Sequence, residues 1–478
     1  MTVPRSVLLV VLDDVGVEQF TAYGRGGAGT YGYPDTSDFT DWCAAGVKFT
    51  RAYGQQLCSP FRASLMTGRH PFRHGVGDII RDDEDAATTQ GALPESEHTI
   101  ARELRGRGFR TACIGKWHLG NTNVGGREHP NRMGFDFYAG NLFNIDRTGN
   151  YSVGGESFHA GYYTFDATVH GARRVINRVY HTTYCANEAV RWIKDQGDRP
   201  YFLYLPVYGI HVPITNTEAF GNNTPPTTLY DAATWTHAAD TPSVGAQGTM
   251  HAARAHMEAT IAEIQRVIDA VDLTTTLVIV TSDNGTDTAI LSNEVDPVNG
   301  AYSGSHAKNT PYEPGINIPL VAFGAGVENG GRTYSKLVSV VDLFPTILDM
   351  LGLPALDPDE HTIDGVSFAD VLRNTSGAAV RDYAYAEWFQ PIGAEPSDTD
   401  PDANRTATEW AYVGERYVLL LNGISGEQEF YDLLLDPMQT TNLKPTLDAS
   451  VSDPPDSVKV LMDAMALARR ELVMSGAP

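Results

Sequence analysis

The sequence predicts an α/β fold: one large, mixed but mostly parallel sheet flanked by helices, with a smaller C-terminal α+β subdomain. Three observations carry that expectation. SVLLVVLDD, residues 6–14, is a continuous apolar run ending in two carboxylates, as expected of a strand buried on both faces of a parallel sheet. A helix, a glycine or turn and an apolar strand recur at HTIARELRGRGFRTACIGK, YCANEAVRWIKDQGDRPYFLYLPVYGIHVP and HMEATIAEIQRVIDAVDLTTTLVIVTSDNG. That is the rhythm of a doubly wound sheet. Beyond residues 353–380 the pattern changes to the short strand-like runs YAYAEWF, EWAYVG, RYVLLLN and QEFYDLLLDP, with turns between them.

In chain order, the first strand, Val7 to Leu12, runs into Asp13 and Asp14, and a Gly- and Tyr-rich loop spans Gly24 to Pro34. TDWCAAGVKFTRAYG reads as a helix end, a stop at Gly46 and a short strand over Val47 to Thr50. In CSPFRASLMTGR, Pro60 sits in a first turn, Arg62 to Met66 read as a short helix, and Gly68 stops it. Cys58 therefore falls at the positive end of a helix, with Arg62 about one turn in. A nucleophile there gains from backbone amides and from a guanidinium that can hold an anion. A buried structural thiol is the alternative. Ile100, Ala101 and Leu104 fit a helix closed by Gly108, and FRTACIGK is the following strand.

Residues 121–180 and 215–250 read as long irregular stretches, the kind that form lids or select substrates. VSVVDLFPTILDMLGLP is a strand and then a helix ending near Gly352, and SVKVLMDAMALARREL is a final amphipathic helix. AEPSDTDPDANRT is an acidic surface loop. We divide the chain into a catalytic domain, 1–360, and a C-terminal subdomain, 361–478, with a small antiparallel sheet and the terminal helix.

The 478 residues include 35 Lys and Arg against 59 Asp and Glu, a net charge of −24. That disfavours nucleic acid and anionic membranes as partners. An anionic substrate would need a locally positive pocket. The run Val7 to Leu12 is too short to cross a bilayer and reads as a core strand, so no signal peptide is expected in this chain. The compartment stays open: cytoplasmic, or periplasmic or secreted if a leader was removed. Cys43, Cys58, Cys113 and Cys185 show no metal-ligand spacing. If Cys58 is consumed by chemistry, three remain; this argues against a fully paired framework and leaves a single disulfide open.

In such sheets ligands bind beyond the carboxyl ends of the strands. Asp13 and Asp14, Lys116 and His118, His211, and Asp283 and Asn284 all fall there. Three carboxylates and an amide suit a hard cation, calcium or magnesium, better than zinc. Alone, the Asp pair could cap a helix and Asp-Asn-Gly could turn a hairpin. Lys116 and His118, two apart, point the same way on an extended segment.

CSPFRASLMTGR resembles the signature of the type I, formylglycine-dependent sulfatases, an arylsulfatase-like branch of the alkaline phosphatase-like superfamily. Its core there is Cys-x-Pro-x-Arg followed by Leu-x-Thr-Gly-Arg; Phe61 stands where Ser is usual. GKWHLG (115–120), His211 in GIHVP and Lys308 in KNTPYEPGINIP are similar to further motifs of that family. In the last, Pro314 replaces a Gly and Asn317 replaces the usual Arg, which leaves the pairing of Glu313 open. VSVVDLFPTILDMLG and YDLLLDPMQTTNL extend the likeness from Val7 to about Leu443.

The resemblance implies an alkaline phosphatase-like sulfatase fold and hydrolysis of a sulfate monoester, small-molecule or carbohydrate. It implies that a formylglycine-generating enzyme oxidises Cys58 to formylglycine, whose hydrate is the nucleophile. One divalent cation, calcium before magnesium, would be held by Asp13, Asp14, Asp283, Asn284 and position 58. Arg62, Lys116 and Lys308 would supply the positive pocket. His118 would serve the covalent intermediate, and His211 or Lys308 the leaving oxygen. Two rivals remain: a phosphodiesterase or phosphonate monoester hydrolase using the same aldehyde, and an inactive binder of sulfated glycans. The binder would need a missing motif residue, and a two-zinc phosphatase a second Asp/His set; neither is found. Oligomeric state and the sulfated alcohol are not legible.

Overall fold

Ser6–Leu12 is a strand buried along its whole length. Its period-2 geometry sends Val7, Leu9 and Val11 into one apolar cluster and Leu8, Val10 and Leu12 into another. The two clusters are the layers above and below one sheet, which is why the run is apolar without alternation. The computed structural model describes residues 2–81, 91–145, 150–153, 155–215, 223–235, 246–394, 402, 404–423, 425–448 and 457–475.

Among the described residues the sheet has 11 strands, including the short Val338–Ser339 paired beside Val47–Tyr53. At its centre Thr276–Ser282, Ser6–Leu12, Tyr201–Val207, Arg110–Ile114 and Phe137–Gly140 lie side by side and parallel. Asn317–Gly324 joins antiparallel on one side, followed by Val47–Tyr53 and Arg332–Tyr334. Thr164–Val169 and Ala172–Asn177 close the other side antiparallel. Helices His181–Gln196 and Ala246–Ile268 cover one face, while Leu343–Met350 and Ile100–Gly106 cover the other. Gly46 ends the helix Ser37–Ala45 where a Cβ would lie 2.1 Å from the Ala322 carbonyl oxygen, so only glycine lets the helix end so close to the sheet.

Two stretches differ from their sequence reading. Residues 121–180 are not irregular: they hold Phe137–Gly140, the edge hairpin of Thr164–Val169 and Ala172–Asn177, and a small hairpin of Asn150–Val153 with Glu156–His159. These strands are short, and ARRVIN at the edge is largely exposed, so neither an apolar run nor alternation marks them. In 215–250 the helix Ala246–Ile268 starts inside the supposed loop. Tyr230 and Trp235 pack on Ala255, and residues 216–222 and 236–245 lie outside the described residues. So does most of the acidic stretch AEPSDTDPDANRT.

The smaller sheet is an antiparallel meander of Ala384–Gln390, Ala407–Val413, Tyr417–Asn422 and Glu427–Asp432. One face packs on the terminal helix Ser457–Met474 through Met462, Met465 and Val473. The other meets Tyr53, Tyr312 and Ile316 beside the large sheet. QEFYDLLLDP is strand only to Asp432, whose carboxylate accepts the N–H groups of Leu434 and Leu435 in a turn. Those leucines are left exposed. Phe368, Val371 and Leu372 bury their side chains in the larger core. Among the described residues the four cysteines are free thiols and no helix is long and apolar enough to cross a membrane.

A buried ion pair ties the connection between the two sheets. Arg381 Nε donates to Asp342 Oδ2 at 2.8 Å, and Asp342 also accepts the N–H groups of Ser339 and Val366. Arg381→Ala would strand that carboxylate, and breaking a buried pair costs about 3–5 kcal/mol. Urea unfolding should therefore show a stability loss of that size, read as a lower midpoint at unchanged slope; a loss under about 1 kcal/mol would class the pair with surface bridges.

Candidate active site

Loops from the carboxyl ends of the central parallel strands meet at one place. Asp13 and Asp14 follow Leu12, Asp283 and Asn284 follow Ser282, Lys116 and His118 follow Ile114, and His211 follows Val207. The helix Cys58–Thr67 enters from Val47–Tyr53 with Cys58 as its first residue, and Gly68, at φ 67°, caps its end. The sequence placed Cys58 at the positive end of this helix with Arg62 about one turn in, and the helix indeed begins at Cys58. Asp14 (φ 64°) and His118 (φ 58°) hold the left-handed conformation. In non-glycine residues that strain concentrates at functional sites.

The side chains form one network. Asp13 Oδ1 accepts from Cys58 Sγ at 3.3 Å, and Asp13 Oδ2 accepts from Lys116 Nζ at 2.6 Å and lies 3.4 Å from Arg62 Nη2. Asp14 Oδ2 accepts from Lys308 Nζ at 2.8 Å and stands 3.9 Å from His211 Nε2; its Oδ1 accepts from Asn284 Nδ2 at 2.8 Å. Asp283 Oδ2 accepts from Arg62 at 3.0 Å, while its Oδ1 accepts the backbone N–H groups of Asp14 and Asn284. Arg62 also donates to the Lys116 carbonyl at 3.0 Å. His118 joins through its backbone: its N–H donates to Leu142 O at 2.8 Å, and its carbonyl accepts from Ser59 Oγ at 2.9 Å. Nine of the ten residues nominated by the sequence thus meet in this network, and His118 stands beside it, reached through Ser59, the neighbour of Cys58.

Burial pushes Asp13 up, but Lys116, His211, Arg62 and Lys308 outweigh it and hold its carboxyl well below the usual range. Burial, then the neighbouring Asp13, pushes Asp283 up to about 7. Burial and Asp13 also raise the Cys58 thiol well above its ordinary value, so the helix terminus does not make it a thiolate. Burial, Lys116 and Arg62 push His118 well down and keep its imidazole neutral; its buried Nδ1 has no partner among the described residues. His211 Nδ1 lies 2.6 Å from the Val212 carbonyl. It must therefore carry the hydrogen, which turns Nε2 toward Asp14. Burial opposes the charge on Lys308, yet Asp14 and the neighbouring negative groups keep it firmly protonated.

Ligand atoms of Asp13, Asp14, Cys58 and His211 lie within 4.8 Å of one another. The buried Asn284 Oδ1 has no hydrogen-bond partner among the described residues. An orphaned amide oxygen beside crowded carboxylates fits one hard divalent cation. The grouping differs from the expected set in one respect: His211 stands among the candidate ligand atoms, while Asp283 uses its oxygens to brace Asp14, Asn284 and Arg62.

Several supporting residues were missed. Thr286 Oγ1 accepts from Gly16 N at 2.9 Å and donates to Glu18, and its carbonyl accepts from Lys308 N at 3.0 Å. It pins both carboxylate loops and Lys308, and its only sequence signal is its place just after Asp283-Asn284-Gly285. Tyr208 lies under Lys116, with Nζ 5.5 Å from the ring centroid, and the Tyr204 hydroxyl meets Arg62 at 3.4 Å. Both sit on or just after the FLYLPV strand. The Glu313 carboxylate accepts from Tyr53 OH at 2.7 Å, so a tyrosine supplies the pairing left open by Asn317.

A family model described as Sulfatase matches residues 5–353. Arylsulfatase G of Mus musculus is 28% identical over 396 residues, covering 77% of this chain and 68% of that protein. N-acetylgalactosamine-6-sulfatase of Canis lupus familiaris is 29% identical over 388 residues, covering 77% and 66%. The crystal structure of PsFucS1 sulfatase from Pseudoalteromonas sp. superimposes with a TM-score of 0.68 at 20% identity, over 99% of this chain and 91% of that one. The structure of BT4656 in complex with its substrate D-glucosamine-2-N,6-O-disulfate gives 0.65 at 18% identity, over 98% of each chain. At such identities the two structures show the fold alone.

Proposed function

The chain belongs to the sulfatase family and is a sulfuric ester hydrolase; from that premise we propose that it hydrolyses a carbohydrate sulfate monoester through an oxidised Cys58 and one divalent cation. The observation that carries this reading is the meeting of Cys58, three carboxylates, one amide and three fixed cations in one buried place. The carbohydrate assignment is supported by relatives named as an N-acetylgalactosamine-6-sulfatase and as bound to a glucosamine disulfate substrate.

Each side chain has a physical task. Asp13, Asp14, Asn284 and position 58 would hold the cation, with Asp283 bracing them and His211 alongside. The ion supplies Lewis-acid polarisation of a substrate oxygen and favours an ionised nucleophile. Oxidised to the aldehyde and hydrated, position 58 offers two hydroxyls on one carbon. Sulfate can then be taken up and released without water attacking a crowded anion. Lys116 and Lys308 offset the charge on the sulfuryl oxygens; this electrostatic work, in a site from which water is excluded, is the larger contribution. Arg62 balances Asp13 and Asp283 so that the cluster can be buried. His118 Nδ1 accepts the proton of the hydroxyl that expels sulfate. His211, its Nδ1 tied to Val212, presents Nε2 toward the leaving oxygen.

The test is sulfate release by the mature enzyme from sulfated N-acetylhexosamines and an aryl sulfate, beside hydrolysis of an aryl phosphodiester. The expected preference is at least about 100-fold in kcat/KM for the sulfates. A faster phosphodiester reaction would give the chain to the rival branch, and binding of sulfated sugar with no turnover of the aldehyde form would leave a binder.

A further inference from the structure

A tyrosine holds His211 from outside its own loop. Two of the bonds on His211 are local: its N–H donates to Tyr208 O at 2.8 Å, and its Nδ1 lies 2.6 Å from the Val212 carbonyl. Both move with the loop and cannot fix it against the sheet. The Tyr162 hydroxyl, just ahead of the strand Thr164–Val169, donates to the His211 carbonyl at 2.8 Å. The Tyr162 N–H donates to Asn223 Oδ1 at 2.9 Å, and Asn223 Nδ2 donates to Thr215 O at 3.1 Å. Both ends of the segment 211–215 are thereby tied to residue 162. Nothing in the chemistry above uses this tyrosine.

We propose that Tyr162 is a positioning residue whose hydroxyl aims His211 Nε2 at the leaving oxygen of the sulfate ester; the inference rests on the task given to His211 above. Anchoring is the first argument. Tyr162 is fully buried. Its carbonyl accepts from the N–H of His181 at 2.8 Å, at the start of the helix His181–Gln196. Its ring stacks on Tyr180, with centroids 5.5 Å apart and planes 17° from parallel. It also stands 4.4 Å from the His256 ring, on the helix Ala246–Ile268. Helices on one face of the sheet thus fix the hydroxyl before it meets His211. A side chain held in this way gives up little further freedom in making its bond.

Direction is the second argument. Tyr162 fixes the peptide group between His211 and Val212, and the next carbonyl, that of Val212, takes Nδ1. With both set, Nε2 is turned toward Asp14, 3.9 Å away, and the Tyr208 ring stands against the imidazole at 5.8 Å. Without the Tyr162 bond that peptide can rotate, and Nε2 swings with it. A misplacement of about 1 Å is enough to cost a large factor in rate. The cost falls on the departure of the leaving oxygen. Help there matters most when the departing oxygen is basic, so the loss must depend on the leaving group.

The experiment uses the mature enzyme on phenyl sulfate and 4-nitrophenyl sulfate, two esters alike in the ring and different in the basicity of the leaving oxygen. Tyr162→Phe removes the hydroxyl and keeps the stack. It should lower kcat/KM for phenyl sulfate about tenfold, the scale of one hydrogen bond, through kcat rather than KM. The change for 4-nitrophenyl sulfate should stay under about twofold. Tyr180→Phe removes a hydroxyl from the same stack, the one that meets His256 Nδ1 at 2.8 Å, and should leave the ratio of the two esters where it is. Equal losses on both esters in Tyr162→Phe, no loss on either, or the same shift in Tyr180→Phe would each overturn the proposal. His211→Gln tells this failure from that of the reading beneath it. If His211→Gln shifts the ratio and Tyr162→Phe does not, Tyr162 alone is dismissed. If His211→Gln lowers both esters alike, the leaving-oxygen task falls and this inference with it. Tyr162→Phe added to His211→Gln should shift the ratio no further; a second shift of the same size would mean that Tyr162 acts elsewhere and would sink the proposal.

Discussion

Cys58→Ala should lower kcat/KM for every sulfate ester by at least about 10⁴-fold, the scale on which loss of a covalent nucleophile is felt. The same loss is expected in wild-type protein made without a cysteine-oxidising partner. The thiol is buried, donates to Asp13, and is pushed well above its ordinary pKa by burial and by that carboxylate. A protonated thiol is a weak nucleophile, so the encoded side chain is inert where it stands. Stability should change little, by about 1 kcal/mol, because Cys58 touches the network through one weak hydrogen bond. The measurement pairs steady-state sulfate release with the mass of the peptide that contains residue 58. Activity should track the fraction of aldehyde. A fully thiol sample that turns over at the wild-type rate would remove Cys58 from the nucleophile's place. Cys58→Ser sharpens the test, since a single hydroxyl can take a sulfuryl group but has no neighbour to expel it. One sulfate retained per chain is the expected end point.

How much of this could be read beforehand depends on what each residue's signal is. SVLLVVLDD and TLVIVTSDN show both a buried strand and the donors at its end, because burial on both faces forces a continuous apolar run. Strand ends in a parallel sheet all open to one side, which told that Asp13-Asp14, Lys116-His118, His211 and Asp283-Asn284 would meet; Cys58 and Lys308 were added to them by the family resemblance. The edge of the sheet left no such mark. FYAG is four residues long and pairs with Arg110–Ile114, well earlier in the chain; ARRVIN pairs with the adjacent TFDATV but faces solvent, so neither carries the signal of an apolar run. LLL at 433–435 misled in the opposite sense: the Asp432 turn overrides its apolar character and leaves Leu434 and Leu435 exposed. Thr286 acts through its hydrogen bonds to Gly16, Glu18 and Lys308, and Tyr53 through one to Glu313; no periodicity announces such single bonds. The place of His211 among the ligand atoms depends on the backbone after Val207, with its His211 N–H to Tyr208 O bond at 2.8 Å and the Tyr162 hydroxyl on the His211 carbonyl.

Removal of the divalent ion should cut turnover by at least about 10³-fold and lower the melting temperature as well. The stability effect follows from the charges. Asp13, Asp14 and Asp283 are fully buried, and burial, with Asp13 beside it, pushes Asp283 up to about 7. Lys116, Lys308 and Arg62 offset part of the carboxylates' charge, but Asn284 Oδ1 has no donor among the described residues. A cation present at 1,000 times its dissociation constant would stabilise the native state by about 4 kcal/mol. Asp14→Asn separates this from a general effect of chelators. It keeps the shape and the left-handed backbone, since asparagine tolerates positive φ, but removes one ligand charge. Calcium affinity by calorimetry should fall about 100-fold from a stoichiometry of one, the scale set by losing a charged ligand. The chelator-induced drop in melting temperature should shrink with it. Arg381→Ala, far from the ion, should lose stability yet keep the full chelator response. If metal-free wild type, checked by elemental analysis, melts where the loaded protein melts, then Lys116, Lys308 and Arg62 already balance the carboxylates and the ion has no structural part.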